Sequence, residues 1–339
     1  MIRACMVMAG ALAVLLTRPA LAQPSDAPRP LPRHLDLKIS VGGFTEINAA
    51  VLLAKEFGEF DKENISVTIT MQKPSDGLVL LATGRIDVLA SQPGAAFFNA
   101  VAGGVDARLV APAGFSSPDS RTGFWLSRAW LAGRPYSPAL LKGQTIGSAV
   151  GVGTTVSYWL EVELEKADLD VRAVSWRTMG VGDILVALEN GAVNVGFLFD
   201  GIWQKADTDK VVFAFGGTPD ISGAYFYGPS LLRQNRAACE AVMRAMTRTV
   251  RQYLQGKYHG DAKVAPALAH LLGISVDDLR RGGEMTFPPD MPIAPYTASV
   301  LQKTYALTPG VLTYTDPLPD DRVIDRGFLA SVGVAAPAQ

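Results

Sequence analysis

The sequence predicts an α/β protein of two lobes. Residues 47–90 pass through helix, strand, helix and strand with almost no slack. A second unit of the same kind begins after the loop-like stretch 114–123. From Ser230 onward the chain is mostly helical, which does not suit one continuous sheet. It suits two α/β lobes with the last helices returning to the first lobe.

In the first unit, Leu35 to Val41 reads as the opening strand and Gly42-Gly43-Phe44-Thr45 as the loop at its C-terminal end. Ile47, Ala50, Val51, Ala54, Phe57 and Gly58 fall at helical spacing and make one apolar face, with Lys55, Glu56 and Glu59 opposite. Ile65, Val67 and Ile69 alternate with Ser66, Thr68 and Thr70, the period of a strand. Pro74 to Gly77 breaks that strand and starts a helix, whose apolar face is Leu78, Leu81 and Ala82 and whose stop is Gly84. Ile86 to Ala90 is a buried strand, and Ser91-Gln92-Pro93-Gly94 follows it. Pro93 suits a first helical position and Gly103-Gly104 the stop. Ala107 to Ala111 is the next strand. This alternation implies parallel strands joined by right-handed crossovers.

In the second unit, Gln144 to Ala149 reads as a strand, and Gly151-Val152-Gly153-Thr154-Thr155 opens a helix with Val156, Trp159, Leu160, Leu164 and Ala167 inward. Val171 to Trp176 is expected as a strand and Gly182 to Asn190 as a helix. Val193, Val195, Phe197 and Phe199 alternate in a strand that ends at Asp200, and Val211 to Phe215 is another. Gly223 to Gly228 is extended and aromatic. Ser230 can cap a helix running to about Gln255, followed by helices near 262–272, 275–281 and 295–305. Arg233, Arg236, Arg244, Arg248 and Arg251 recur on the long helix and read as a solvated face.

The 339 residues carry 48% hydrophobic and 19% charged side chains and a formal net charge of −1, so nothing favours nucleic acid as a partner. Arg3, the apolar run Met6 to Leu16 and Ala20-Leu21-Ala22 make a cleavable signal peptide over residues 1–22, with cleavage expected after Ala22. The run is too short for a spanning helix. Residues 23–34, rich in proline, read as a disordered linker. After cleavage Cys239 is the one thiol, so no disulfide forms within the chain. His34, His259 and His270 lack metal-ligand spacing, and neither a metal nor a cofactor is expected.

The runs LAKEFGEFDKENISVTI and LATGRIDVLASQPGAAFFNAVAGG, then LKGQTIGSAVGVGTTVSYWLEVELEKADL and VGDILVALENGAVNVGFLFDG, resemble the nitrate/sulfonate/taurine class of ABC-transporter substrate-binding proteins. The resemblance spans residues 35 to 290. It implies a periplasmic-binding-protein-like fold of type II, with two α/β lobes joined by two crossing strands and a ligand cleft between them. Lobe one is then expected at 35–122 plus 226–335 and lobe two at 123–225. The resemblance further implies a periplasmic, monomeric protein that binds a small organic or anionic molecule and delivers it to a permease and ATPase complex.

Open α/β sheets bind ligands beyond the C-terminal ends of their strands. That rule selects Gly43, Phe44 and Thr45 after the first strand, Ser91 and Gln92 after the third, and Phe115 after the strand ending at Ala111. It also selects Gly153, Thr154 and Thr155 at a helix start, Asp200 after its strand, and Tyr225 at the return crossing. A helix start offers free N–H groups to an anion, and the threonines are equally suited to capping. Phe44, Phe115 and Tyr225 can wall a cleft or join the core. Asp200 can meet a ligand amine or cap its own turn. Arg121 is a candidate near the crossing, but no Arg stands at the cleft centre, which weakens any dedicated sulfonate site.

Two other classes stay open. A secreted partner of a membrane sensor would carry the same features. An enzyme related to the pyrimidine synthases of thiamine biosynthesis would share the fold. Those enzymes use a cysteine-rich segment and a histidine, which this chain lacks at its cleft loops.

Overall fold

The strands, in chain order, are β1 (Leu35–Val41), β2 (Ile65–Met71), β3 (Val88–Ser91), β4 (Arg108–Pro112), β5 (Gly123–Ser127), β6 (Thr145–Ser148), β7 (Ser175–Thr178), β8 (Val195–Leu198), β9 (Val211–Gly216) and β10 (Ala224–Tyr227). They form two sheets of five, ordered β2-β1-β3-β10-β4 and β7-β6-β8-β5-β9. The computed structural model describes residues 26–117, 120–217, 221–234 and 236–333. The expected signal peptide, residues 1–22, lies outside them.

The two sheets repeat one plan. In the first, β1 runs parallel to β2 and β3, with Leu35 opposite Ile65 and Val41 opposite Met71. In the second, β6 runs parallel to β7 and β8. Each sheet then takes one antiparallel strand, β10 in the first and β5 in the second. Because β10 follows the whole second sheet in sequence, the chain passes between sheets twice, after β4 and again after β9.

The longer helices are α1 (Ala49–Glu56), α2 (Pro74–Ala82), α3 (Ala95–Ala102), α4 (Thr155–Glu165), α5 (Val181–Glu189), α6 (Arg236–Tyr253), α7 (Val264–Leu272) and α8 (Thr297–Ala306). Helix α1 is short but apolar, and Ala49 to Ala54 are all buried. It packs on α6 and α7, so the late helices do return to the first lobe. Leu37, Ile39 and Val41 of β1 are buried in the same hydrophobic core, each contributing about 1.5–3 kcal/mol of transfer free energy. In the second lobe Ile184, Leu185 and Leu188 of α5 pack with Trp125 and Leu198. No helix among the described residues is long and apolar enough to cross a membrane.

Three expectations are corrected. The strand expected at Val171–Trp176 begins only at Ser175. Val171–Ala173 is instead a tight 3-10 turn, because the Asp170 carboxylate accepts from the Arg172 backbone N–H at 2.9 Å. The arginine face of α6 is not uniformly solvated. Arg244 and Arg248 are buried and bind Glu63 and Glu59. Residues 26–34, read as a disordered linker, are tied down by the same arginines. Arg248 Nη1 donates to the Asp26 carbonyl at 2.7 Å, Arg244 Nη2 donates to the Arg29 carbonyl at 3.1 Å, and the Leu31 N–H reaches the Glu63 carbonyl at 2.9 Å. A charge removed from water needs such partners, and the proline-rich segment supplies carbonyls for them.

Candidate functional site: the interlobe cleft

The loops beyond the parallel strands of the two sheets meet each other. The Ala95 N–H, at the start of α3, donates to the Gly153 carbonyl of the second lobe at 2.7 Å. The approach needs two glycines. A Cβ at Gly94 would lie 2.9 Å from the Gly153 oxygen. One at Gly153, where φ is +75°, would lie 2.8 Å from Val311 and 3.0 Å from Ala95. On the same side α4 packs against α8.

This contact uses the helix starts that sequence reasoning offered to an anion. The Thr154 hydroxyl donates to the Gly151 carbonyl at 2.9 Å, and the Thr155 hydroxyl donates to the Ser222 carbonyl at 3.3 Å. The Gly153 and Thr154 N–H groups both reach Ser157 Oγ, at 3.1 and 3.2 Å. Thr155 is buried, and its bond ties the second-lobe helix to the return crossing.

The remaining expected residues separate into two groups. Gly43, Phe44, Thr45, Ser91, Gln92, Thr154 and Asp200 keep surface at the strand ends, and Phe44 is 39% exposed. The Gly43 carbonyl is held by the buried Asn48 amide at 3.0 Å, which fixes the loop that carries Phe44. Phe115 and Tyr225 are buried instead. Phe115 exchanges both backbone hydrogen bonds with Thr286 at 2.9 Å. Tyr225 lies within β10, paired to Ala90 and Ala111, and burial pushes its phenol well above the usual range. Its hydroxyl faces the start of α1, near the Val51 N–H, without reaching a hydrogen-bond partner. Arg121 sets its guanidinium 5.8 Å from the centre of the Phe213 ring, and its carbonyl accepts from Trp125 Nε1 at 2.9 Å.

Several polar groups at the cleft were not singled out from the sequence. Glu46 follows Thr45 directly and opens the 3-10 turn Glu46–Asn48. Its Oε1 accepts from the Tyr258 hydroxyl, from the Met285 N–H at 3.2 Å, and contacts His259 Nε2 at 2.8 Å. Burial and the Glu46 charge push the Tyr258 phenol far up. Across the cleft, Asp200 Oδ1 accepts from Trp203 Nε1 at 2.7 Å. The Asp200 carboxyl sits in a concavity although it keeps exposed surface. That desolvation raises its pKa, the Trp203 and Thr122 side chains lower it, and the Glu46 charge raises it again, with a net upward shift. A carboxylate one residue beyond a cleft loop, and a tryptophan three residues after Asp200, were the available signals.

Thr122 and Ser222 sit on the two crossings. Both are buried; among the described residues the Ser222 hydroxyl has no partner, and the Thr122 hydroxyl lies beside the Asp200 carboxylate. Among the described residues no group of His, Cys, Asp and Glu is placed to hold a metal ion.

Two lobes of matched topology, with strand-end loops that meet between them, make a two-lobed α/β fold with a cleft between its sheets. Solved structures similar to the chain share this arrangement. A putative periplasmic sulfonate-binding protein SsuA of an ABC transporter from Methylobacillus flagellatus KT matches with a TM-score of 0.65 at 16% identity, over 88% of this chain and 93% of that one. The periplasmic nitrate-binding protein NrtA from Synechocystis PCC 6803 matches with a TM-score of 0.65 at 14% identity, over 88% of each. A Cys-to-Ser variant of DszB in complex with biphenyl-2-sulfinic acid matches less well, with a TM-score of 0.52 at 16% identity, over 88% of this chain and 99% of that one. No family model and no curated protein matches the chain. At these identities the likeness is one of fold, and the fold is that of the periplasmic binding proteins.

Proposed function

We propose that this chain is a periplasmic solute-binding protein, which captures a small organic or anionic molecule between its lobes and hands it to an ABC permease and its ATPase. The observation that carries the reading is the repeated five-stranded plan, with the strand-end loops of both sheets meeting at Ala95 and Gly153. The similarity in fold to the sulfonate- and nitrate-binding proteins of import systems supports it. The signal peptide expected over residues 1–22 supports export.

Binding is favoured over catalysis by the state of Cys239. The thiol is buried, donates to the Leu231 carbonyl at 3.5 Å, and is pushed up to about 12 by burial. A nucleophile needs the opposite shift and access to the cleft.

The test is a thermal-shift screen of the protein beginning at Gln23 against nitrate, sulfonates, pyrimidines, flavins and aromatic acids. A ligand that binds only the native state raises the melting temperature by mass action. Turnover of a compound with no accompanying stabilisation by any compound would overturn the binding reading.

A further inference from the structure

We infer that the two flanks of the cleft are unlike. The flank that joins Ala95 to Gly153 is a fixed seam. The cleft opens and shuts on the other flank, between the Glu46 turn and the turn at Ile202. The inference concerns the motion of the lobes, and it rests on the solute-binding reading only for the use made of that motion.

The chain repeats itself in register. The same step in sequence separates Ile39 from Ile146, Val41 from Ser148, Met71 from Thr178 and Val88 from Val195, and these residues pair alike in their two sheets. Helices α2 and α5 begin and end at that step. Asp76, Leu78, Val79, Leu81 and Gly84 recur as Asp183, Leu185, Val186, Leu188 and Gly191. Both glycines take the left-handed conformation that ends a helix.

The repeat maps one flank of the cleft on the other. Gly153 lies five residues beyond β6, as Glu46 lies five beyond β1. Ala95 lies four beyond β3, as Ile202 lies four beyond β8. The mate of the Ala95–Gly153 contact is therefore a contact of Ile202 with Glu46. The first is made and the second is not. The Ile202 N–H instead turns back to the Phe199 carbonyl at 3.1 Å.

The seam is held along the length of α4. At its start Gly153 meets Ala95 and Val311, and Asn99 Nδ2 donates to the Val311 carbonyl at 3.0 Å. At its end Glu165 pairs with Lys303 of α8 at 3.4 Å. Between them, the Thr155 hydroxyl and Trp159 Nε1 donate to the Ser222 and Ile221 carbonyls of the return crossing, both at 3.3 Å. Parting this flank would strand the Ala95 N–H and the Gly153 carbonyl.

The free flank is finished on each side by its own lobe. Glu46 is bound by Tyr258, His259 and Met285, all of the first lobe. In the facing turn the Gly201 N–H donates to Gln204 Oε1 and Trp203 Nε1 to Asp200 Oδ1, both at 2.7 Å. Among the described residues no hydrogen bond or ion pair joins this turn to the first lobe. Gln204 Nε2 is 3.9 Å from where a Cβ on Gly282 would stand, so the two edges come close without bonding. Separating them strands no polar group, so this flank can part while the seam stays packed.

The test is made on the chain from Gln23 without ligand. Spin labels go on exposed positions, as Lys166→Cys with Ala306→Cys across the seam and Thr45→Cys with Lys205→Cys across the free flank. Cys239 is buried and stays in place. Melting curves check that both proteins fold as the parent does. Electron paramagnetic resonance then gives the distance distribution of each pair. The free-flank distribution is expected to be at least about twice as wide as the seam distribution, as two interconverting states require. Sucrose, which is excluded from protein surface, should shorten the free-flank distances and leave the seam unmoved. A free-flank pair as narrow as the seam pair, or one that sucrose moves no further than the seam pair, overturns the inference. Because no ligand is used, that result leaves the solute-binding reading standing, and a failed ligand screen leaves the seam.

Discussion

Arg248 Nε donates to Glu59 Oε2 at 2.8 Å, and that carboxylate is wholly buried. The same guanidinium reaches Glu63 Oε1 with Nη1 at 2.6 Å and the Glu59 carbonyl with Nη2 at 2.9 Å. Arg244 adds a bond to Glu63 Oε2 at 2.7 Å. One planar side chain thus joins α6, the turn after α1 and the N-terminal segment. Arg248→Ala should destabilise the protein by about 3 kcal/mol, since it removes one charged partner from each of two buried carboxylates and leaves Glu63 to Arg244 and Glu59 to Lys62 and Tyr253. Arg248→Lys should recover little, because an ammonium cannot reproduce the fork. Urea unfolding of both variants measures this.

The pH dependence of stability should have two opposite contributions. Burial pushes the Glu59 carboxyl up, but Arg248, Lys62 and Tyr253 outweigh it and hold the carboxyl below its ordinary range. Its folded pKa lies below the unfolded one, so its contribution is full above about pH 4–5 and is lost as pH falls through the lower value. Asp200 is raised, so it binds its proton more readily when folded. It adds stability as pH falls through its raised pKa. Melting temperatures from pH 3 to pH 7 should fall on the acid side, and more steeply in Asp200→Asn, which lacks the opposing contribution.

Gly153→Ala should hold the lobes apart. The new methyl would sit 2.8 Å from Val311 in a backbone conformation that favours glycine. Small-angle scattering should show a larger radius of gyration than in the parent, and ligand affinity should drop because closure is part of binding. An unchanged radius would show that the α3 start and Gly153 do not limit closure.

Cys239 should resist alkylation. Its thiol is buried and pushed up to about 12, so at pH 8 iodoacetamide should modify the native protein about 100-fold more slowly than the urea-unfolded chain. Mass spectrometry over time gives the ratio directly.

The sheets were largely legible because their periods are local. Ile65, Val67 and Ile69 alternate over neighbouring residues, and β2 lies where that alternation placed it. Val171 to Trp176 misled because a short apolar run fits a strand or a turn, and Asp170 decided for the turn. Arg244 and Arg248 misled for a different reason. Helical spacing shows which residues share a face, not what that face meets, and Glu59 and Glu63 stand more than 180 residues away. The candidate site was read by a rule for strand-end loops, which selected Phe44, Gln92 and Asp200. It did not reach Tyr258 and His259, because no strand end precedes them and only folding brings them to Glu46.

The charge cluster around Arg248 also sets an order of events. Its carbonyl partner in residue 26 lies 222 positions earlier in the chain, and Glu59 lies 189 earlier. Until α6 has emerged, the turn after α1 has two carboxylates that cannot leave water, and the first lobe cannot close over them. Contacts of such separation form late. Under the export proposed above, the chain would thus stay open until nearly three quarters of it had been delivered, with helix α6 as the release signal.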